Sequence, residues 1–156
     1  MGLITYKPTT PSFRKTVKVD KSVLFKGRPE KNLIEELQPN SGRNNTGKIT
    51  IRHRSGGHKK KYRIINFKRN TFDKIGTVER IEYDPNRSAF IALVDYQDLK
   101  EYIIAPSDIK PGDKVISSVK TEINSGNAMK IKNIPTGSSI HNIELKPGAG
   151  GKLCRS

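Results

Sequence analysis

From residue 48 onward, short runs of β-branched and apolar residues alternate with clusters of turn-forming residues. Isoleucine, valine and threonine total 35 residues against 15 for leucine, alanine and methionine, a balance that favours strands. This spacing leaves little room for crossover helices, so the sequence predicts an all-β fold of antiparallel barrels and not a parallel α/β sheet. The predicted strands are 48–54, 59–67, 75–83, 88–96, 100–105, 114–119, 128–134 and 139–145.

Three of these strands carry specific expectations. Strand 88–96 is apolar at both its odd-numbered and its even-numbered positions, so we expect it at the centre of a sheet. Strand 48–54 alternates isoleucines with polar and cationic side chains, so burial of Ile49 and Ile51 would display a row of cations on the other face. In 59–67 the alternation slips by one residue, which predicts a bulge or a bend.

The two ends of the chain lack this pattern. Residues 1–28 are rich in Lys, Arg, Thr and Pro with isolated apolar positions, which is typical of an extended basic arm that orders only against a partner. After the arm, an apolar spacing allows a short helix over 29–37. Residues 146–152 form a flexible basic loop, either a nucleic-acid contact or a disordered tail.

The charge of the chain is divided unevenly. The net charge is +15, of which residues 1–70 hold +14 and residues 71–156 hold +1. So strong a basic field attracts polyanions, which makes nucleic acid the expected partner, with a merely solubilising charge as the alternative. No membrane partner is expected, because the sequence shows neither a basic amphipathic helix nor an apolar run that could span a bilayer.

Catalytic and metal-binding chemistry finds little support in the sequence. Cys154 is the single cysteine, so an internal disulfide and a thiolate zinc site are excluded. His53 and His58 lack nearby carboxylates, and His141 is distant in sequence. Paired carboxylates and a nucleophile with its base are also absent, so we expect no enzyme, no catalytic residue, no metal and no cofactor.

The densest candidate site is the run RHRSGGHKKK at 52–61. Its paired glycines let the backbone approach phosphates closely, and the flanking cations supply charge, so the run predicts a phosphate-cradling loop. His53 and His58 would stack on bases or bind phosphates. The alternative for His53 is a side chain that faces the core.

Two other loops offer candidate contacts. Arg43, Asn44 and Asn45 carry donors for phosphate and 2′-hydroxyl groups, unless they form an ordinary polar loop. Residues 82–87 predict a hairpin turn in which Asp84 caps the backbone. Arg87 in this turn either contacts RNA or faces water.

Seven short motifs follow one another along the chain. They are GRNN at 42–45, RHR at 52–54, GGHK at 56–59, YRI at 62–64, FKRN at 67–70, VERIEYDPNR at 78–87 and NIPTG at 133–137. In this order they closely resemble the L2 family of large-subunit ribosomal proteins, from about residue 7 to residue 156. The residues at 82–87 resemble the bacterial and organellar form of this family.

The resemblance implies an extended N-terminal arm at 1–41, an OB-fold RNA-binding domain at 42–112 and the first part of an SH3-like barrel at 113–156. It implies a structural constituent of the large ribosomal subunit that binds 23S-type rRNA beside neighbouring ribosomal proteins, and that supports subunit association and the peptidyl transferase region. The residues it assigns to RNA contact are Arg14, Lys15, Arg43, Asn44, Asn45, Arg52, His53, Arg54, His58, Lys59, Lys60, Lys61, Arg63, Lys68, Arg69, Asn86 and Arg87.

Family members of the bacterial type run on past the point that matches Arg155, through the rest of the SH3-like barrel and into a basic tail rich in glycine and histidine. We therefore expect a separate polypeptide to complete the barrel, with a truncated sequence as the plainer alternative. An organellar ribosome, in the mitochondrial matrix, is slightly preferred over one in a bacterial cytoplasm. The histidine of that tail has no counterpart here, so no catalytic role carries over.

Two other functions compete with the ribosomal one. An independent OB-fold module that binds single-stranded RNA would need aromatic stacking platforms, and aromatic residues are only 6% of the chain. An RNA-processing enzyme that uses His53 and His58 is the weakest hypothesis.

Overall fold

The computed structural model describes residues 2–37 and 39–155, and in them the regular secondary structure is almost entirely β-strand, joined by long turns and irregular segments. The strands are β1 (Leu3–Thr5), β2 (Val17–Val19), β3 (Ile34–Glu36), β4 (Lys61–Arg63), β5 (Ile75–Glu82), β6 (Ile91–Asp95), β7 (Lys100–Ile104) and β8 (Lys114–Ile116). The helical structure in this part of the chain consists of two 3-10 turns, at Lys31–Leu33 and Ile131–Asn133. The prediction of an all-β fold is therefore confirmed.

The body of the protein is a four-stranded antiparallel sheet in the order β7-β6-β5-β8. The segment between β4 and β5 reaches both edges of this sheet. Ile65 forms an isolated bridge with Tyr102 on β7, and Phe72 forms one with Ser117, just after β8. The sheet itself is open, and one segment that bridges to both of its edges is consistent with the predicted barrel.

The central strand β6 divides the core into two apolar clusters. Ile91 and Leu93 pack on one face and Ala92 and Val94 on the other, and all four are fully buried. The alternation in the sequence predicts this arrangement, and the structure confirms it. Close approach from the neighbouring strand needs a glycine: a Cβ at Gly76 would lie 2.4 Å from Cγ1 of Val94.

A buried polar network ties the segment before β3 to the sheet. The hydroxyl of Tyr102 donates to the carboxylate of Glu82, 3.0 Å from each oxygen, and accepts a 2.9 Å hydrogen bond from the backbone N–H of Glu30. Nε of Arg80 lies 2.8 Å from Oε1 of Glu82, whose side chain is 5% exposed. The buried carboxylate is thus paired and hydrogen-bonded.

The N-terminal arm has structure of its own. Strands β1 and β2 form an antiparallel hairpin whose six residues are all exposed. Beyond the hairpin, Leu24 is buried in the core, and the backbone N–H of Phe25 donates to the carbonyl of Ile81 at 2.8 Å. The arm is therefore attached to the sheet at its C-terminal end, which the sequence does not predict.

Three predicted strands and the predicted helix are wrong. Residues 48–54 form turns with one bridge at Ile49, and both isoleucines expected to be buried are exposed, Ile49 at 62% and Ile51 at 50%. Residues 128–134 and 139–145 also make only isolated bridges, at Ala128 and Ile143. The segment 29–37 is a 3-10 turn followed by β3. In the three wrong strands an apolar alternation lacks a full-length partner strand, and without one the ladder cannot form. The predicted helix fails for the opposite reason, because residues 34–36 pair with β4.

The remaining strands are confirmed at shorter lengths. The predicted strand 59–67 ends at Arg63, and the slip in its alternation falls where Ile64 is exposed and Ile65 is buried. The division of the chain at 41/42 and 112/113 stays a prediction. β8 lies beyond the second of these boundaries and pairs with β5.

The Tyr102 network predicts a specific loss of stability. Tyr102→Phe should lower the free energy of unfolding by roughly 1–3 kcal/mol, because the buried carboxylate of Glu82 loses a donor. Urea denaturation at pH 7 measures the change. Tyr83→Phe, on a ring that is 44% exposed, is the control and should leave the midpoint unchanged; equal effects of the two substitutions would contradict the network.

The same tyrosine predicts a pH dependence. Burial raises the pKa of Tyr102 to about 12, from an ordinary value of 10.0. The neutral phenol therefore stabilises the fold fully below pH 10, and this contribution is lost as the pH rises towards 12. The free energy of unfolding, measured by urea titration across this window, should fall less steeply in Tyr102→Phe than in the parent. Burial also raises the pKa of Tyr96. The free energy of unfolding should therefore still fall with pH in both proteins.

Candidate nucleic-acid interface

The loop at 41–49 is shaped by its own side chains. Oδ1 of Asn44 accepts hydrogen bonds from the backbone N–H groups of Thr46 and Lys48, both at 3.0 Å, and from the Thr46 hydroxyl at 2.8 Å. Nη1 of Arg43 donates to a carbonyl of the same loop at 3.2 Å. Asn44 is thus a turn-forming residue, and its exposed neighbours Arg43 and Asn45 lie on the surface of the turn.

The basic loop, residues 52–61, projects cations into solvent. His53 has a φ of 60° and Gly57 one of 66°, so the backbone turns through the left-handed region. Lys59 lies 3.3 Å from Oε1 of Glu36, but both side chains are mostly exposed, so this ion pair is weak. His53 is exposed, and the alternative of a core-facing histidine is therefore wrong. The exposed candidates in this loop are Arg52, His53, Arg54, His58, Lys59, Lys60 and Lys61.

The two loops form one surface, which we call the loop surface (residues 41–61). The backbone N–H groups of Thr50 and Ile51 both donate to the carbonyl of Gly42, at 2.9 and 3.1 Å. A Cβ added to Gly56 would lie 2.5 Å from Oγ of Ser41, so the loops are in close contact. The sequence predicts each loop separately, and the structure brings them together.

A buried carboxylate anchors the loop surface to the sheet. Asp84 is fully buried, and Oδ1 accepts from the backbone N–H of Asn86 at 2.9 Å while Oδ2 lies 2.6 Å from Nε of Arg87. The amide Nδ2 of Asn86 donates to the carbonyl of Lys61 at 2.8 Å, which holds the end of the basic loop. The predicted turn and the capping role of Asp84 are both present. Asn86 and Arg87 are engaged by protein groups.

Aromatic rings surround the guanidinium of Arg87. Its Cζ lies 5.7 Å from the ring centre of Tyr62 and 5.5 Å from that of Phe67. The Arg87 side chain is 15% exposed. Arg63, on β4, uses Nη1 to bond the Lys61 carbonyl at 3.0 Å, and its Nε is buried without a partner among the described residues. These contacts favour a packing role for both arginines.

Lys68 and Arg69 are neighbours in sequence with opposite environments. The backbone N–H groups of both donate to Oδ1 of Asn66, so the turn is closed by an asparagine. Lys68 is exposed. Arg69 points inward, where Nη2 donates to the carbonyl of Gly126 at 3.0 Å, and burial lowers the pKa of its guanidinium. Only Lys68 of the pair presents its charge to solvent.

A basic groove beside Lys68 includes residues that the sequence does not single out. The groove has a volume of about 510 Å³, and Lys68, Lys152 and Arg155 contribute cations to its lining. The guanidinium of Arg155 lies 4.6 Å from the ring centre of Phe67. The backbone N–H of Gly151 donates to the carbonyl of Phe67 at 3.0 Å, which brings the C-terminal basic loop against the sheet. The motif KPGAGGK is the signal that could have indicated this site.

Arg14 and Lys15 lie apart from the loop surface in sequence, in the turn that joins β1 to β2. Both are exposed. No group of three His, Cys, Asp or Glu side chains in the described ranges could hold a metal ion. In the same ranges, no helix is long and apolar enough to cross a membrane.

An all-β body that presents clustered, anchored cations on loops is typical of nucleic-acid-binding proteins. The family description "Ribosomal Proteins L2, RNA binding N-terminal domain" matches residues 30–117, and "Ribosomal Proteins L2, C-terminal domain" matches residues 124–156. The chain belongs to the ribosomal protein L2 family. That family is named for a ribosomal protein and not for an enzyme, as the sequence predicts.

Curated relatives agree with this assignment. The chain is 57% identical over 157 residues to the large ribosomal subunit protein uL2 of Ruegeria sp. (strain TM1040) and 55% identical to that of Paracoccus denitrificans. It is 57% identical over 158 residues to the uL2 of Rhizobium etli. All of this chain is covered in each case, and it spans 56–57% of the relatives' length. These relatives are bacterial, so the preference for a mitochondrial ribosome finds no support.

The anchoring carboxylate predicts a large loss of stability. Asp84→Ala should lower the free energy of unfolding by roughly 3–5 kcal/mol, because it leaves the poorly exposed guanidinium of Arg87 without its counter-ion. Urea denaturation measures the loss. Asp98→Ala is the matched control, since Asp98 pairs with Lys74 at 3.0 Å on an open surface, and it should change stability by no more than about 0.5 kcal/mol. Similar losses in both variants would show that Asp84 is not an anchor.

Proposed function

We propose that this chain is a structural constituent of the large ribosomal subunit that binds 23S-type rRNA through the loop surface and the basic groove. The observation that carries the proposal is the basic loop, whose cations are all exposed while its end is held by Asn86. Exposed cations on a fixed backbone can match a particular arrangement of phosphates, because little ordering is needed on binding. Membership of the L2 family supports the choice of RNA.

The proposed contact residues have two roles. The first group contacts RNA directly and the second holds the loops in place. The exposed group is Arg14, Lys15, Arg43, Asn45, Arg52, His53, Arg54, His58, Lys59, Lys60, Lys61 and Lys68. The second group, whose side chains bond or pack against protein groups, is Asn44, Arg63, Arg69, Asn86 and Arg87.

The finer parts of the function rest on the family. Support of subunit association and of the peptidyl transferase region is proposed from the resemblance to L2. Neighbouring ribosomal proteins, or a separate polypeptide that completes the second barrel, are proposed partners of residues 119–153. The support for a protein partner there is the exposure of large apolar side chains: Val119, Ile123, Ile131, Ile140, Leu145 and Leu153.

Charge neutralisation in the basic loop tests the RNA interface. Replacing Arg52, Arg54 and Lys60 by Gln should weaken binding to a 23S rRNA fragment and reduce the slope of log K against log[salt] by about two to three, at roughly 0.7–0.9 per phosphate contact. Filter binding over a range of salt concentrations measures both quantities. The matched control replaces the exposed lysines Lys110, Lys130 and Lys132 by Gln, with the same change in net charge. Equal losses in the two variants would reject a localised interface.

Sedimentation of a native lysate tests the ribosomal role itself. We expect this chain in the large-subunit peak at one copy per subunit, measured by mass spectrometry. A polypeptide in that peak that matches the remainder of the relatives' length would establish the separate partner. A chain that sediments free, or with other RNA, would contradict the ribosomal role.

A further inference from the structure

The hairpin of β1 and β2 carries an aromatic pair on its surface. Tyr6 follows β1 and Phe13 lies in the turn before β2. Their ring centres are 5.4 Å apart with the planes inclined by 39°, and each residue is 39% exposed. Two rings in contact outside the core leave part of their faces in water, and a ligand with its own flat face could cover one of them.

Cations surround this pair. Nζ of Lys18 lies 5.4 Å from the ring centre of Tyr6. Lys7, Arg14 and Lys15 are exposed on the same hairpin, and residues 2–19 contain no acidic side chain. The first acid along the chain is Asp20, at the base of the hairpin. A ligand that covers the rings therefore lies on a hairpin that is basic from residue 2 to residue 19, which favours an anion.

Most of the other aromatic rings differ from this pair in their surroundings. Phe72 is 63% exposed, but it has no second ring against it among the described residues. Tyr96, Phe90 and Tyr102 are buried in the core. Phe25 is covered by the guanidinium of Arg80 at 4.4 Å, and Tyr83 by the ammonium of Lys21 at 3.7 Å. In the hairpin, the ring–cation contact that the structure describes involves Tyr6, so Phe13 is the ring of the pair with no described cation over its face.

We propose that the hairpin is a stacking platform for an unpaired nucleotide of RNA, with the base on Phe13, Tyr6 packed against that ring, and the flanking phosphates near the basic side chains of the hairpin. The inference rests on the proposed rRNA-binding function and specifies a single-stranded subsite within it. A base in a duplex is already stacked on both faces, whereas an unpaired base has a free π-face. A duplex would contact the cations of the hairpin equally well, but its bases could not stack on the rings.

The test compares two RNA probes with the full chain. The probes are a 12-nucleotide oligouridylate with one central 2-aminopurine and a 12-base-pair RNA duplex. Phe13→Leu keeps an apolar side chain and all charges, so it removes stacking alone. We expect it to weaken binding of the single strand by roughly 5- to 100-fold, in the range of one lost base stack, with duplex binding and the salt slope unchanged. Quenching of 2-aminopurine fluorescence should be present in the parent and lost in the variant.

Two further variants isolate the ring. Phe13→Trp should keep the single-strand affinity and the quenching, because a larger aromatic face replaces the first. Phe72→Leu is the matched control: the same substitution on a ring that is 63% exposed and outside the hairpin, expected to bind both probes like the parent. Circular dichroism melts of all variants check that the fold is kept.

The outcomes separate this inference from the function on which it rests. Failure of the parent chain to bind either probe would contradict RNA binding as a whole. Binding of the duplex without the single strand, or unchanged single-strand binding in Phe13→Leu, would overturn the platform and leave the rRNA-binding proposal standing. An equal loss for both probes would show that Phe13 only stabilises the hairpin. In those cases a protein partner becomes the occupant of the rings.

Discussion

The buried carboxylate of Asp84 links the core of this protein to the loop that carries its exposed cations. A fully buried charge must be neutralised where it lies, so the turn after β5 directs Arg87 inward and fixes the amide of Asn86. The Cζ atom of Arg87 then lies 5.7 and 5.5 Å from two ring centres, and Asn86 holds the last carbonyl of the basic loop. The end of the basic loop therefore depends on one fully buried acid.

This dependence explains why residues of one type have two roles in the same short region. Arg52 and Arg54 lie on an exposed loop, whereas Arg69 donates into the fold and Arg87 is paired with an acid. A count of positive charges treats all four alike. Only burial and hydrogen bonds separate an exposed arginine, which we propose to bind phosphate, from an arginine that holds the loop in place. Replacing exposed cations by Gln should therefore change the binding affinity. Removing the buried carboxylate of Asp84 should instead change the stability of the fold.

The parts of the fold that were predictable are those governed by local pattern. The alternation in β6 placed four apolar side chains on two faces, and the Asp-Pro-Asn turn was readable because its chemistry is contained in consecutive residues. The alternation at 48–54 was misleading, because a pattern assigns faces only when a partner strand exists to cover one of them, and Ile49 and Ile51 have none. The basic groove was predictable only in part. The run KPGAGGK at 146–152 indicates one wall of the groove, but the contact between Gly151 and Phe67 joins distant parts of the chain, and no local signal encodes it.

The connectivity of the sheet also affects the order in which the parts of the chain fold. Strands β5, β6 and β7 are consecutive and each pairs with the next, so the central meander closes only short loops. Contacts of this kind form early, while those that join remote segments carry a larger entropic cost and form late. A nascent chain can thus complete its meander before residues 148–151 have been synthesised. The loops that we propose to bind RNA would then be supported by a folded sheet first, and the groove would close after that sheet has formed.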